Sequence, residues 1–268
     1  MARSPRTRPT RTARQTLVRL GRRLAVVALV AGLVGAWVWQ RTLPLERVTV
    51  VGATYAEAED VVRLVHVEPD SVALFSLDPA LMAGRAARHP WVASASVRRL
   101  PTGTLRVRVE ERVPVALALD AAGRPAHFLD ADGYAMPLAR SRADVPVLRG
   151  APDYHPTQPV EPASLRELLA ALAGADAEAN ALVSEVAWSP GKTVVWTTPA
   201  GGRGSLPARL GETGQAEQLA RLRAFWTQAV LPRPNAPIRA VDLRFEGQVV
   251  TEEADLTALA ASTPPPPG

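Results

Sequence analysis

Residues 89–119 read HPWVASASVRRLPTGTLRVRVEERVPVALAL, and the fold turns on them. Pro101-Thr102-Gly103 is a turn signal between two strand-like runs, 91–100 and 104–112. In the second run Leu105, Val107 and Val109 alternate with Arg106, Arg108 and Glu110, giving one face to bury and one to wet. The buried face needs a cover, and the residues upstream supply it.

Residues 45–51, LERVTVV, read as a strand closed by Gly52. Thr54-Tyr55-Ala56-Glu57 has the pattern of a capping box, opening a helix that buries Val61, Val62, Leu64 and Val65. Glu68-Pro69-Asp70 breaks it. Asp78 then caps a second helix, with Pro79 at the first position, where its missing N–H costs nothing. The order over 45–112 is β-α-α-β-β: a small three-stranded sheet covered on one face by two helices.

Further toward the N-terminus, residues 24–40 (LAVVALVAGLVGAWVWQ) carry no charge and are bracketed by Arg22, Arg23 and Arg41. A helix of this length spans roughly 25 Å, at the short end for a bilayer core of about 30 Å. Snorkelling arginines can close the gap, and Trp37 and Trp39 sit where an interfacial aromatic belt belongs. Residues 1–23 hold eight arginines and no acid, so the positive-inside rule places this tail in the cytoplasm and the body outside. A cleaved leader competes with this reading, but Val34-Gly35-Ala36 is a poor cleavage site with two tryptophans directly after it. Gly21-Arg22-Arg23-Leu24 is also a weak twin-arginine look-alike.

The charge of the 268-residue chain is correspondingly lopsided. Its 31 basic residues (Lys192 the one lysine) exceed its 26 acids, but without the tail 23 face 26. Eight arginines without interleaved aromatics are weak evidence for nucleic acid. There is no cysteine, which excludes disulfides, thiolate nucleophiles and cysteine-ligated metals.

Beyond 113 the sequence turns to short strands and turns. Runs at 115–119 and 126–129 flank Asp120-Ala121-Ala122-Gly123, and Asp130-Ala131-Asp132-Gly133 precedes 134–138. Leu165, Leu168, Leu169 and Leu172 form a helical stripe over 164–173. Strands at 182–188 and 193–198 face each other across Pro190-Gly191-Lys192, and 206–210 reads as another. An amphipathic helix over 215–230 carries Leu219, Leu222, Phe225 and Trp226. The last clear strand is 238–245, with a return at 248–251, and the four prolines of 264–267 lie in a tail, 252–268, expected to be disordered.

Catalytic and metal signatures are missing. His66, His89, His127 and His155 are never four residues apart, and none opens an H-E-x-x-H. Gly191-Lys192-Thr193 ends like a phosphate loop but joins two strands. Gly201-Gly202-Arg203-Gly204-Ser205 could form an anion nest but reads more simply as a mobile loop. No cofactor, metal or small-molecule substrate is expected, and the chain reads as a non-enzyme.

These residues resemble a known family. LERVTVVGA beside an apolar helix, the 89–119 stretch and a late VDLRF at 241–245 are similar to the FtsQ/DivIB family of bacterial cell division proteins. The resemblance implies an α+β fold: one transmembrane helix, a POTRA domain over 45–112, and a mostly antiparallel β domain with two helices over 113–251. It also implies a single-pass protein of the cytoplasmic membrane at the division septum, a scaffold whose partners are FtsB and FtsL. In that picture strand 238–245 is a sheet edge open to a partner strand. Phe245 takes the family's aromatic contact position, with Arg244, Glu246 and Gln248 beside it; a further family aromatic is replaced here by Thr251-Glu252-Glu253. A POTRA-containing transport or outer-membrane assembly component is the alternative, but it would need barrel strands or more POTRA copies. A wall hydrolase has no motif in its favour.

Overall fold

The computed structural model describes residues 11–138, 143–153, 155 and 157–253. The cytoplasmic tail expected at 1–23 therefore lies outside the described residues as far as residue 10, and most of the tail expected at 252–268 lies outside them as well.

Helix α1 runs Arg11–Thr42. Its stretch Val18–Thr42 has 25 residues, mean hydropathy 1.6 and no buried residue. At 1.5 Å per residue that is about 37 Å, ample for a bilayer core. The sequence bounded this segment at 24–40; the helix continues through Arg22, Arg23 and Arg41, all exposed. The Arg41 guanidinium lies 4.2 Å from the Trp37 ring centroid, and Trp39 is 52% exposed. The chain leaves the helix without slack: the Leu74 amide donates to the Leu43 carbonyl (2.9 Å) and the Leu45 amide to that of Val72 (3.1 Å).

Strand β1 (Arg47–Val51) is followed by α2 (Ala58–Val65) and α3 (Pro79–Ala86), then β2 (Val92–Leu100) and β3 (Thr104–Glu111). The sheet order is β1-β3-β2, with β1 parallel to β3 from Arg47 opposite Thr104 to Val51 opposite Arg108. A parallel pair needs a long crossover, and the two helices are that crossover. Leu105, Val107 and Val109 are buried, as are Val61, Val65, Met82 and Ala86 from the helices, while Arg106, Arg108 and Glu110 are exposed. Asp78 caps α3 by accepting from the Ala80 amide at 2.9 Å. At the hairpin turn Gly103 has φ +73°, and a Cβ there would meet the Glu46 side chain at 2.8 Å. The positive φ favours glycine, while the exposed Glu46 side chain could move aside.

The capping box does not form. Helix α2 begins at Ala58, too late for Thr54 to cap it. Instead the amides of Thr54, Tyr55 and Ala56 all donate to the Glu111 carboxylate, at 2.8, 2.9 and 2.7 Å. A carboxylate from a distant strand outcompetes the local Glu57 because it satisfies three adjacent donors at once.

The remaining strands are β4 (Ala116–Leu119), β5 (Pro125–Leu129), β6 (Ala135–Pro137), β7 (Val147–Arg149), β8 (Val183–Ser189), β9 (Lys192–Thr197), β10 (Pro207–Leu210), β11 (Ile238–Asp242) and β12 (Val250–Glu253). They form one sheet in the order β12-β11-β10-β9-β8-β7-β4-β5-β6. Pairing is antiparallel except where β4 meets β7, β7 meets β8 and β10 meets β11. Helices α4 (Ala163–Gly174) and α6 (Gln215–Phe225, continued by a π-helical turn Trp226–Val230) are those the leucine stripes predicted. A third, α5 (Ala177–Leu182), is capped by Asp176, which accepts from the Ala179 amide at 2.8 Å. Six residues are too few to show a helical stripe, so the pattern assigns no element to 174–181. Leu165, Leu168, Leu169, Leu172, Leu219, Leu222 and Trp226 pack with Val186, Val195, Ala208, Val241 and Leu243 as one core.

The glycine-rich stretch at 201–205 is no loose loop. Ala200 and Arg203 bridge each other across Gly201 and Gly202, both at positive φ, as in a tight two-residue hairpin. The Arg203 guanidinium then donates to the carbonyls of Pro234, Ala236 and Ile238, tying the turn to the start of β11.

The chain divides into two compact units. One comprises residues up to 51 with 58–86 and 95–109; the other comprises 52–57, 87–94 and everything from 110. In the second unit Tyr55 stacks on Trp91 (centroids 4.7 Å apart), which tilts against Phe128 (6.0 Å).

Candidate partner-binding edge

Strand β11 is shorter than expected and is not the edge. It ends at Asp242, is parallel to β10 on one side and is antiparallel to β12 on the other. The edge of the sheet among the described residues is β12, which the sequence read as a return over 248–251 and whose Glu252 and Glu253 it assigned to the tail. The reason is local. Gly247 adopts φ +65° and the Gln248 amide donates to the Phe245 carbonyl (3.2 Å), turning the chain back on itself. An edge strand leaves a row of N–H and C=O groups without sheet partners, the chemistry of strand addition.

The side chains divide by face. Val241 and Leu243 are buried in the core, at 1% and 0% exposure. Phe245 in the connector is 51% exposed and Val250 on β12 40%. Among the partner-contact residues expected from sequence, Arg244, Phe245, Glu246 and Gln248 are all exposed in the connector between β11 and β12. Arg244 is also engaged within the chain: its guanidinium pairs with Asp242 at 2.6 Å.

Two arginines that sequence reasoning passed over fix this edge. Arg209 on β10 reaches across β11 to pair with Glu252 on β12. Arg221 on α6 donates to three carbonyls of the connector: Leu243 (3.0 Å), Phe245 (2.7 Å) and Gln248 (2.7 Å). In the sequence both are merely the polar positions of amphipathic elements, and nothing there signals where they reach.

The hydrogen bond from the Arg244 side chain, more than any other influence, holds the Asp242 carboxyl below the usual carboxylate range. A folded state that binds this proton less readily than the unfolded chain is favoured above that range and loses the advantage as the pH falls through it. Acid should therefore loosen this part of the sheet below about pH 4. Replacing Asp242→Asn should flatten the acid limb of the thermal-stability profile between about pH 5 and 3, read by calorimetry. An unchanged limb would remove the pair from the account.

Elsewhere the chemistry is structural. A groove of about 1030 Å³ in the second unit is lined by Asp130, Asp132, Asp144, Leu172, Asn180 and others. Its buried Asp130 is committed to Arg112 (2.6 Å) and to the amides of Asp132 and Tyr134. Burial pushes the His127 imidazole below its ordinary value. Among the described residues no group of three or more histidines and acids could hold a metal ion.

Comparison with known proteins matches this architecture to named relatives. Residues 43–112 match the family described as POTRA domain, FtsQ-type. The chain is 49% identical over 221 residues to a cell division protein FtsQ of Rhodothermus marinus, covering 81% of each. It is 41% identical over 244 residues to that of Salinibacter ruber, covering 88% of this chain and 93% of the relative. Among solved structures, the major extracytoplasmic domain of the division protein DivIB from Geobacillus stearothermophilus is similar at 17% identity and a TM-score of 0.30, over 47% of this chain and 98% of that one. Carried by the two long, well-covered sequence matches and by the POTRA match at the head of the body, the conclusion is that this chain belongs to the FtsQ family of bacterial cell division proteins.

Proposed function

We propose that the protein is a non-enzymatic scaffold of the divisome whose β12 edge receives a strand from FtsB, with FtsL arriving alongside. Helix α1 anchors it in the cytoplasmic membrane, the arginine tail inside and the body outside, and it acts at the septum. In this reading Arg22, Arg23, Trp37, Trp39 and Arg41 set the depth of the anchor. The POTRA domain occupies 45–112, and the binding domain runs from 113 to the end of β12, two residues beyond the boundary drawn from sequence.

The observation that carries the reading is that β12 is the edge of the sheet among the described residues, with Val250 on it and Phe245 in its connector both exposed. Backbone pairing supplies affinity, and the exposed Phe245 and Val250 supply apolar surface for side chains of the incoming strand. FtsQ-named relatives over four-fifths or more of the chain weigh against an outer-membrane assembly component.

Phe245→Glu should weaken FtsB pull-down about tenfold or more, as truncating an exposed aromatic anchor does. Membrane insertion and thermal stability should not change. A fluorescent fusion should localise to mid-cell and lose that localisation when 250–253 is removed, a cut that spares the core residues Val241 and Leu243. Diffuse membrane fluorescence of the intact fusion would overturn the septal role, and full binding by the glutamate variant would overturn the contact.

A further inference from the structure

A four-residue edge strand makes few hydrogen bonds of its own, so something else must hold it in register. Its connector, 243–249, is exposed from Arg244 to Gln248 and contains Gly247; only its ends, Leu243 and the partly buried Val249, pack on the core. Between those ends, one side chain ties it to the helical layer. A guanidinium offers five N–H donors and accepts nothing; three hydrogen bonds from the two terminal nitrogens of Arg221 take the carbonyls of Leu243, Phe245 and Gln248. Those are the residue that ends the core, the exposed aromatic and the residue that closes the turn before β12.

The base from which Arg221 reaches is itself rigid. Leu219 and Leu222 of α6 are buried in the core. Gln218 accepts from the Gly211 amide (2.7 Å) and donates to the Thr213 carbonyl (2.8 Å), and Glu167 of α4 accepts from the Gly214 amide (2.6 Å) just before the helix. Arg223, two residues on, pairs with Asp176 at the start of α5 (2.9 Å). The connector is thus pinned to the helical layer, while on β12 the Arg209–Glu252 pair ties the strand to β10.

We propose that Arg221 is the positioning residue of the open edge: by gathering three connector carbonyls it fixes the conformation in which Phe245 is presented and β12 lies against β11. It touches no partner. That the fixed edge serves strand capture rests on the function proposed above; that Arg221 fixes it does not. Lysine cannot replace it, because a single ammonium on a flexible stem cannot serve three separated carbonyls as a planar fork does.

Hydrogen exchange on the full-length protein in detergent separates the two statements. Arg221→Ala and Arg221→Lys should each raise exchange of the 244–253 amides by about tenfold or more, the scale set by losing charge-assisted hydrogen bonds. Amides of β8 and β9 should not change. Because the chain has no cysteine, a single engineered disulfide, Val241→Cys with Thr251→Cys on directly paired positions, can lock β12 mechanically. In the Arg221→Ala background this lock should restore protection of 244–253 and FtsB capture together. Unchanged exchange at 244–253, or an increase spread evenly over the sheet, would overturn the positioning role, as would a lock that restores neither. Local loosening with undiminished capture would leave Arg221 as the clamp and sink strand addition instead.

Discussion

Thr251→Pro should lower the affinity for FtsB by about tenfold to a hundredfold while leaving the rest of the second unit folded. Thr251 is an inner residue of β12 and lies opposite Val241. If its N–H faces β11, proline breaks the pairing that holds the edge in place. If it faces outward, proline removes a donor that the incoming strand needs. Both routes end in lost capture, and a main-chain group left without its partner costs about 1–3 kcal/mol, roughly one to two orders of magnitude in binding. Thr251→Ala keeps the N–H and should bind within about threefold of the parent. Calorimetric titration of the purified proteins decides the matter, with a melt of each variant beside it. Equal affinity of the proline and alanine variants would mean that the main chain of β12 takes no part.

Asp130→Ala is the change expected to do most damage to the body itself. The Asp130 carboxylate is 7% exposed and accepts from Arg112 at 2.6 Å, the Tyr134 amide at 2.7 Å and the Asp132 amide at 3.1 Å. The Arg112 guanidinium, 14% exposed, also lies 4.0 Å from the Tyr134 ring centroid. Removing the acid strands a nearly buried cation and two amides, a loss of about 3–5 kcal/mol. At roughly 2–4 °C per kcal/mol for a unit of this size, the melting temperature should fall by about ten degrees. Adding Arg112→Met should recover part of the loss, because the stranded charge goes with it. A single-variant drop below about two degrees would show that the pair is solvated in practice.

Much of this architecture was legible in the residues, and the physical reasons separate what was from what was not. The hairpin of 91–112 was plain because Leu105, Val107 and Val109 alternate without a break, and the leucine stripes of α4 and α6 were equally plain. Periodicity encodes a face, and a face is all it encodes. It could not say that β11 would be flanked on both sides, since strand order depends on pairings between residues far apart in sequence, such as Ala208 with Val241. It placed Thr54 and Glu57 in a local box because the distant Glu111 is invisible to a local rule. The exposed aromatic Phe245 was found through family resemblance. Arg209 and Arg221 were not found at all, because a long cation on a polar face carries no mark of where it reaches.

The interleaving of the two compact units bears on how the protein can be cut. Because 52–57 and 87–94 group with the residues from 110 onward, a truncation at 112 would strip the second unit of Tyr55 and Trp91 and uncover Phe128.

The position of β12 in the chain also sets a clock. Ribosomal synthesis proceeds from the N-terminus, so the long apolar helix and the POTRA unit are made before the ribbon at 250–253 that pairs with β11. Until residues 250–253 arrive, β11 stands in the outermost place, with Arg209 lacking its glutamate. In the function proposed above, docking waits on these residues, and a chain stopped before residue 250 would carry its apolar helix and POTRA unit without the ribbon that the partner is proposed to join.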